Sequence, residues 1–351
     1  MKLLTFFTLI LSFSNLYAQN GDVLRREIEK AMAYEVNMDT AKMTGWVIGC
    51  IDHDSAWVYG YGRISKTLPL KPDGNTVFEI GGLSKVFVAS TLHEMAEKKL
   101  VCYDSTVNTY LKPAQRFALG NKITLLQLMT HTSGLPKLPE GFGMNEYDQD
   151  QPYLMYKEEQ LFESLKTIDS ADFKIGTYLY SHINHALLEI IIKNKGNYAA
   201  LTQFENRIND TTFLHVQGYN PGLRPVPNWR FGETFHFSLG MKSSMNNILD
   251  YLKLQLCIPD TVNTAPFQET QKSVFKTGID KYTSISKVWH ILKMNKHVEI
   301  CLQSGATNGQ SAFVAFNPQT KTAVVILTNS RLVQGKLGML ILKILNYNWK
   351  R

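Results

Sequence analysis

Strand-like segments occur at both ends of the chain, and most segments between them have the spacing of helices. Two apolar, strand-like runs occupy 44–51 and 56–62, and three more occupy 297–303, 311–316 and 322–328. Because sheets and helices must bury their apolar sides against other elements, this order favours one sheet built from both ends of the chain. The middle of the chain is then a helical insertion beside that sheet.

Helices are predicted wherever apolar residues recur at the helical spacing. In the first of these helices, Leu24, Ile28, Met32 and Ala33 share one face. The stretch 140–175 is polar and is expected to consist of loops. The predicted helices are 22–36, 83–99, a turn opening at 125–129, 184–194, about 198–208, 243–257 and 332–346.

The composition is that of a large folded protein. The chain has 351 residues, 44% of them hydrophobic, and 37 basic minus 30 acidic residues give a formal charge of +7. Lys and Arg are scattered along the chain, so nucleic acid is not an expected partner. The cysteines Cys50, Cys102, Cys257 and Cys301 lack the close pairs of zinc sites and are expected to be small buried apolar residues. No metal site and no cofactor is predicted.

The N-terminus has the layout of a secretory signal peptide. A mostly apolar run at 3–11 follows Lys2, and cleavage is expected after Ala18. The signal peptide is then 1–18 and the mature domain 19–351. No cysteine follows the cleavage site and the apolar run is short for a membrane span, so no stable membrane anchor is expected. The protein is therefore predicted to be exported, either to the periplasm or as a secreted protein.

A motif at 78–87 enters a helix through two glycines and carries Lys85. It resembles the serine β-lactamase and penicillin-binding family, particularly class C enzymes, D-Ala-D-Ala carboxypeptidases and related esterases. In that family a nucleophilic serine precedes the lysine by three residues, so both share a helix face and the amine can take the hydroxyl proton. Here the nucleophile position is Gly82, which has no side chain to acylate. Ser84 is no substitute, because it is adjacent to the lysine and points to another side of the helix.

Further segments resemble signatures of the same family and follow in the family's order from about 44 to 330. They include a structural signature, the second and third active-site motifs, a glycine and serine signature before a helix, and a strand that closes the sheet. Each segment alone is a weak signal, but together they indicate homology. The structural signature is 125–136, the second and third active-site motifs are 180–188 and 303–309, the glycine and serine signature is 238–244, and the closing strand is 321–330.

The second motif is altered at one position. The resemblance implies that Tyr180 acts as general acid or base near the lysine, and that an asparagine two residues later holds the amide of the substrate. His182 occupies the asparagine position. Asn184 is expected to face another way and not to replace the lost amide.

The third motif is altered in the same manner. It is implied to lie on a strand edge that pairs with substrate and offers a polar group to its carboxylate. Ser304 and Gly305 match the pattern, whereas Gln303 replaces the usual lysine or histidine. Together with His182, these three residues are the candidate binding residues.

The resemblance implies a mixed α/β (α+β) fold, in which an antiparallel sheet is flanked by helices beside a mainly helical region. The sheet subdomain is expected at about 40–75 and 225–351, and the helical subdomain at about 80–220. The site is expected at their junction, under the N-terminus of the helix that begins near Gly82.

Two functions are compatible with these motifs. The first is a β-lactamase-related pseudoenzyme that lacks the acyl-enzyme route and binds a small-molecule, peptidoglycan-derived or other acyl ligand. The alternative is an active hydrolase of β-lactams, esters or peptides, in which Lys85, Tyr180 and His182 activate a water molecule directly. Labelling by an acylating probe and a turnover assay would discriminate them.

Simpler interpretations exist for several of these residues. Lys85 could brace its helix and Tyr180 could be a packed aromatic residue, while His131 is expected to be structural. Ser273 and Ser284 each precede a lysine by three residues. Both follow the second motif, and neither comes after the Phe-x-Ile-Gly pattern seen at 78–81, so both are interpreted as chance matches.

Overall fold

The computed structural model describes most of the chain, including every predicted strand. The described residues are 21–35, 44–143, 150–168, 174–197, 199, 201, 202, 205, 213–259 and 265–346. The predicted signal peptide lies outside the described residues. Within them, no helix has both the length and the apolar character needed to cross a membrane.

One eight-stranded sheet combines strands from both ends of the chain. The described strands are β1 (Trp46–Asp52), β2 (Ser55–Tyr61), β3 (Val77–Glu79), β4 (Gly218–Tyr219), β5 (Pro225–Val226), β6 (Lys242–Ser244), β7 (Phe275–Lys276), β8 (Thr283–Ile285), β9 (His290–Lys293), β10 (Glu299–Ala306), β11 (Ser311–Asn317) and β12 (Thr322–Thr328). The large sheet has the order β2-β1-β12-β11-β10-β9-β8-β7, and all its neighbours are antiparallel. The predicted α/β fold with an antiparallel sheet is therefore confirmed.

Helices are described in each of the predicted segments, and three more lie where none was predicted, at Glu158–Thr167, His236–Leu239 and Ala265–Glu269. The helices are α1 (21–35), α2 (Ser84–Glu97), α3 (Leu125–Met129), α4 (Glu158–Thr167), α5 (His182–Asn194), α6 (of which residues 199, 201, 202 and 205 are described), α7 (His236–Leu239), α8 (Met245–Gln255), α9 (Ala265–Glu269) and α10 (Gly335–Asn346). The expectation that 140–175 consists of loops is wrong, because α4 lies there. Only Leu161, Phe162 and Leu165 of α4 are buried, so its composition is mostly polar.

The centre of the sheet is covered on both faces, which explains its continuous apolar sequence. Every residue of β1, β11 and β12 is buried. On β1, Ile48 and Cys50 face a core layer closed by α1 and α10. Val47 and Ile51 face the larger core, which includes α8 and the helical region.

Two predictions from the sequence, on α1 and on the cysteines, are wrong. On α1, Ala31 is buried in place of Ala33, which is exposed, because residues 24, 28, 31 and 32 share one helix face and residue 33 lies off it. Cys102 is exposed and Cys257 is partly exposed, since both follow the C-terminal ends of helices rather than lying within the core. The other two cysteines are buried, as expected.

Helix α2 lies at the centre of the helical region and brings its N-terminus to the sheet. It packs against α5 and α7, and it follows a 3₁₀ turn at Gly81–Leu83 that contacts β10. Strand β9 pairs with β10 only along 299–302. The edge of β10 at 303–306 is therefore left to face this turn, which is the junction where the site was expected.

Candidate active site

The turn before α2 and the end of β10 meet backbone to backbone. A Cβ on Gly305 would lie 2.0 Å from the carbonyl oxygen of Ile80 and 2.5 Å from the amide nitrogen of Gly82. Gly81 has a left-handed φ of +51°, and a Cβ there would lie 2.7 Å from the backbone of Ala306. Glycine is thus required at 81 and 305 by conformation and by space.

Gly82 is different, because its surroundings admit a side chain. Its backbone is not left-handed, and a Cβ would lie 3.2 Å from the carbonyl oxygen of Ser304, 3.2 Å from Tyr180 Oη and 3.7 Å from Gly305 Cα. These contacts are tight but require shifts of only a few tenths of an ångström. The absence of a side chain at the nucleophile position is therefore not imposed by the fold.

Lys85 is the second residue of α2 and is almost completely buried, with 1% of its surface exposed. Its Nζ donates a hydrogen bond to the carbonyl oxygen of Ser238 at 3.1 Å and lies 5.5 Å from the centre of the Tyr180 ring. Burial, with a smaller contribution from the charge of Lys137, lowers the pKa of Lys85 to about 7. Near neutral pH, a large share of this amine is therefore unprotonated and able to accept a proton.

Tyr180 lies just before α5, with its ring packed against His131 at a centroid distance of 4.5 Å. Burial raises the pKa of the Tyr180 phenol above its usual value, so the hydroxyl stays protonated at neutral pH. It can donate a hydrogen bond, whereas Lys85 is the better proton acceptor. His131 is buried, and its Nδ1 accepts a hydrogen bond from the Ser181 amide at 3.1 Å, in keeping with its expected structural role.

His182 is the first residue of α5, and its amide donates to the carbonyl oxygen of Lys137 at 2.9 Å. Burial and the nearby charges of Lys85 and Lys137 lower the pKa of His182 to about 2, so its imidazole is neutral. Its Nδ1 is buried without a hydrogen-bond partner among the described residues. Asn184 instead faces inward, where its Oδ1 accepts from Ser133 Oγ at 2.7 Å. It does not line the cleft described below.

The third motif is part of a chain of polar contacts. Gln303 Oε1 accepts a hydrogen bond from the Ser304 amide at 3.1 Å. The Gln303 side chain also bonds to His290, whose pKa burial lowers to about 4, and His290 Nε2 lies 2.7 Å from Tyr178 Oη. The position usually held by a charged or titratable residue thus carries a neutral amide that neighbouring side chains hold in place.

These residues surround one cleft of about 560 Å³. Gly82, Tyr180, His182 and the sequence 303–305 all line it, while Lys85 lies beneath and contacts the ring of Tyr180. The remaining lining residues are Lys137, Leu138, Tyr153, Trp229, Leu239, His290, Leu302, Ala306, Arg331 and Val333. None of these ten residues was predicted as a site residue, although Leu239 and Ala306 lie within the 238–244 and 303–309 segments and Lys137 directly follows the 125–136 signature.

The Beta-lactamase family model matches residues 24–338 of this chain. The chain belongs to the β-lactamase family. A β-lactamase of Providencia stuartii is 23% identical over 78% of both chains. The D-alanyl-D-alanine-carboxypeptidase/endopeptidase AmpH of Escherichia coli K12 is 25% identical over 51% of this chain and 46% of its own. The resemblance noted in the sequence is confirmed.

Solved structures of the β-lactamase family have the same fold. The β-lactamase/D-alanine carboxypeptidase of Pseudomonas syringae superposes with a TM-score of 0.75 at 21% identity, covering 93% of this chain and 99% of its own. A class C β-lactamase in complex with cefoxitin gives a TM-score of 0.74 at 21% identity, covering 95% and 99%. At this identity the comparison establishes the fold and leaves the chemistry to the residues of the cleft.

Among the described residues, no serine both lies on α2 and lines the cleft. Ser304 is the only serine among the residues that line the cleft, and its amide bonds to Gln303. Ser84 is completely buried and does not line the cleft. Ser273 and Ser284 lie on or beside the short strands β7 and β8 and do not line it either. Neither serine is on a helix with its lysine.

Proposed function

We propose that this protein is a binding or regulatory member of the β-lactamase family that does not form an acyl-enzyme. The observation that carries the proposal is Gly82, which lines the cleft where the family pattern has its nucleophilic serine. Covalent catalysis requires an activated nucleophile, and a hydrogen atom cannot be acylated. The proposed ligand is a small acyl compound, of which peptidoglycan-derived peptides are the first class to test.

The rest of the cleft supports binding of an acyl group. The Ser304 amide bonds to the Gln303 side chain and so points away from β11, and strand alternation turns the Ala306 amide to the same edge. The Ala306 and Gly82 amides are therefore both candidates to donate to a ligand carbonyl. Lys137 and Arg331 line the cleft, and none of its described lining residues is acidic, which favours an anionic ligand.

A second function is favoured by one observation. Lys85 has a pKa of about 7 without a carboxylate in salt-bridge range among the described residues, which suits a general base. With Tyr180 as proton donor and the neutral His182 as a further polar group, the site could activate water directly. This hydrolase would turn over esters or amides without a covalent intermediate.

Two measurements on the wild-type protein separate these functions. Intact-mass spectrometry after incubation with benzylpenicillin and with a fluorophosphonate should show no added mass, whereas an adduct mapped to Ser304 or Ser84 would show a nucleophile elsewhere. Calorimetric titration with N-acetyl-D-alanyl-D-alanine should show binding without product. Release of D-alanine that is lost in Lys85→Met would instead establish the hydrolase.

We also propose that the protein is exported. The support is the pattern at 1–18 and the family, which includes bacterial β-lactamases and a D-Ala-D-Ala carboxypeptidase. A ligand from the cell envelope would be accessible in that compartment. Nucleic acid is not a proposed partner, because the basic residues do not form a run.

A further inference from the structure

Two cations line opposite sides of the cleft, with Gly82 between them. Lys137 belongs to the helical region, in the segment that leads from α3 toward α5. Arg331 belongs to the sheet side and follows β12. Gly82 lies between the two sides, because a Cβ there would contact both Tyr180 of the helical region and Ser304 of the sheet.

The backbone around both cations is held by hydrogen bonds. The carbonyl oxygen of Lys137 accepts from the His182 amide at 2.9 Å, and the carbonyl oxygen of Pro136 accepts from Ser181 Oγ at 2.7 Å. On the other side, the carbonyl oxygen of Leu332 accepts from Ser311 Oγ at 2.9 Å. The Lys137 segment is therefore fixed to the start of α5.

Lys137 lines the cleft, and none of the described lining residues carries an opposite charge. Its ammonium contributes to the lowered pKa values of both Lys85 and His182, so its field extends to the floor of the site. Among the described residues, none that lines the cleft is Asp or Glu, and Lys137 takes part in no salt bridge. A ligand that fills the cleft therefore meets a positive charge at each end.

We propose that Lys137 is a specificity-determining residue that selects ligands with a second anionic group. That group is a carboxylate at the acyl end of the ligand, beyond the carbonyl group that is bound at Gly82. This inference rests on the proposed binding function and names its ligand class. The ligand is dianionic, with one carboxylate toward Arg331 and the other toward Lys137. The neutral His182 adds a polar contact beside Lys137 without a charge of its own.

The test compares two peptides that differ by one carboxylate. N-succinyl-D-alanyl-D-alanine has a carboxylate at its acyl end, which N-acetyl-D-alanyl-D-alanine lacks. We expect wild-type protein to bind the succinyl peptide about fivefold more tightly in calorimetric titrations at low salt, the upper range for a partly exposed ion pair. The preference should shrink as salt is added. Lys137→Gln should remove it, while Arg331→Gln should weaken both peptides alike.

A charge-matched variant serves as the control. Lys30→Gln removes the same charge from the exposed side of α1, which lies on the opposite face of the sheet, and should leave the preference intact. Equal affinity of wild-type protein for both peptides, or a preference that survives in Lys137→Gln, would overturn the inference while leaving the binding function in place. Failure of both peptides to bind at millimolar concentration would overturn the proposed ligand class and this inference with it.

Discussion

Replacing Gly82 by serine should restore the first step of acyl transfer. The new Cβ would lie 3.2 Å from Tyr180 Oη and from the Ser304 carbonyl oxygen, so these groups must move by a few tenths of an ångström. Such overpacking costs about 1 kcal/mol, and loss of glycine from the unfolded chain returns about 0.4–1 kcal/mol. The melting temperature of Gly82→Ser should therefore stay within about 4 °C of wild type.

The chemistry follows from the proton acceptor beneath the new hydroxyl. The pKa of Lys85 is about 7, so the neutral amine becomes available as the pH rises through that value. A positioned general base contributes roughly 10²- to 10⁴-fold. Gly82→Ser should therefore be labelled by a fluorophosphonate at least about 100-fold faster than Gly82→Ser with Lys85→Met. The labelling rate should increase between pH 6 and pH 8.

The assay is intact-mass spectrometry with peptide mapping, and Gly82→Ala is the matched control. That variant adds the same Cβ without a hydroxyl, so it should melt like Gly82→Ser and remain unlabelled. The triple variant with His182→Asn and Gln303→His should be labelled faster than the single variant, because it also restores the other two altered positions. If the folded single and triple variants both stay unlabelled across this pH range, the reasoning is refuted, and Lys85 and Tyr180 are structural.

Three further predictions concern stability and export. Lys85→Met should stabilise the fold most below pH 7, and this gain in stability should shrink toward pH 10. The pKa of the amine is about 7 in the folded protein and higher in the unfolded chain, so the stability of the wild-type protein rises with pH between the two values. Denaturant melts at pH 6 and pH 9.5 measure the difference. Gly305→Ala should destabilise by about 3 kcal/mol or more in the same melts, since its Cβ would lie 2.0 Å from the Ile80 carbonyl oxygen. Gly176→Ala should cost less, about 1–2 kcal/mol, because nothing lies near that position and only its left-handed φ of +87° opposes a side chain. Terminal sequencing of the protein from its native source should begin at or near Gln19, and recovery of intact Met1 from the cytoplasm would contradict export.

The sequence predicts the fold well where a local pattern alone determines the structure. The strands β1, β11 and β12 are buried on both faces, so their apolar runs are continuous and unmistakable. The turn at Gly81–Leu83 is specified by adjacent glycines before a helical pattern. By contrast, α4 buries only one narrow stripe, and its polar surface makes it look like part of a loop.

The cleft is harder to predict, because its lining depends on contacts between distant parts of the chain. His290 belongs to a short strand whose sequence suggests only a buried segment, yet β9 brings it beside Gln303. Arg331 follows the last strand and carries no local signal of a site. Gly82 is a further case, since only the structure shows that a side chain would fit there while Gly81 and Gly305 must remain glycine.

The environment of Lys85 argues that the site still has a use for its amine. An ammonium taken out of water without an anionic partner costs free energy, and an apolar side chain of similar length would avoid that cost. Nζ has one hydrogen bond, to the Ser238 carbonyl oxygen, and the described residues provide no salt bridge. A bracing role accounts for that single bond but does not offset the cost of burial, which lowers the pKa of this amine to about 7. A ligand that presents an acceptor above Gly82 would supply the missing partner, which makes binding and proton transfer better explanations of this lysine than stability.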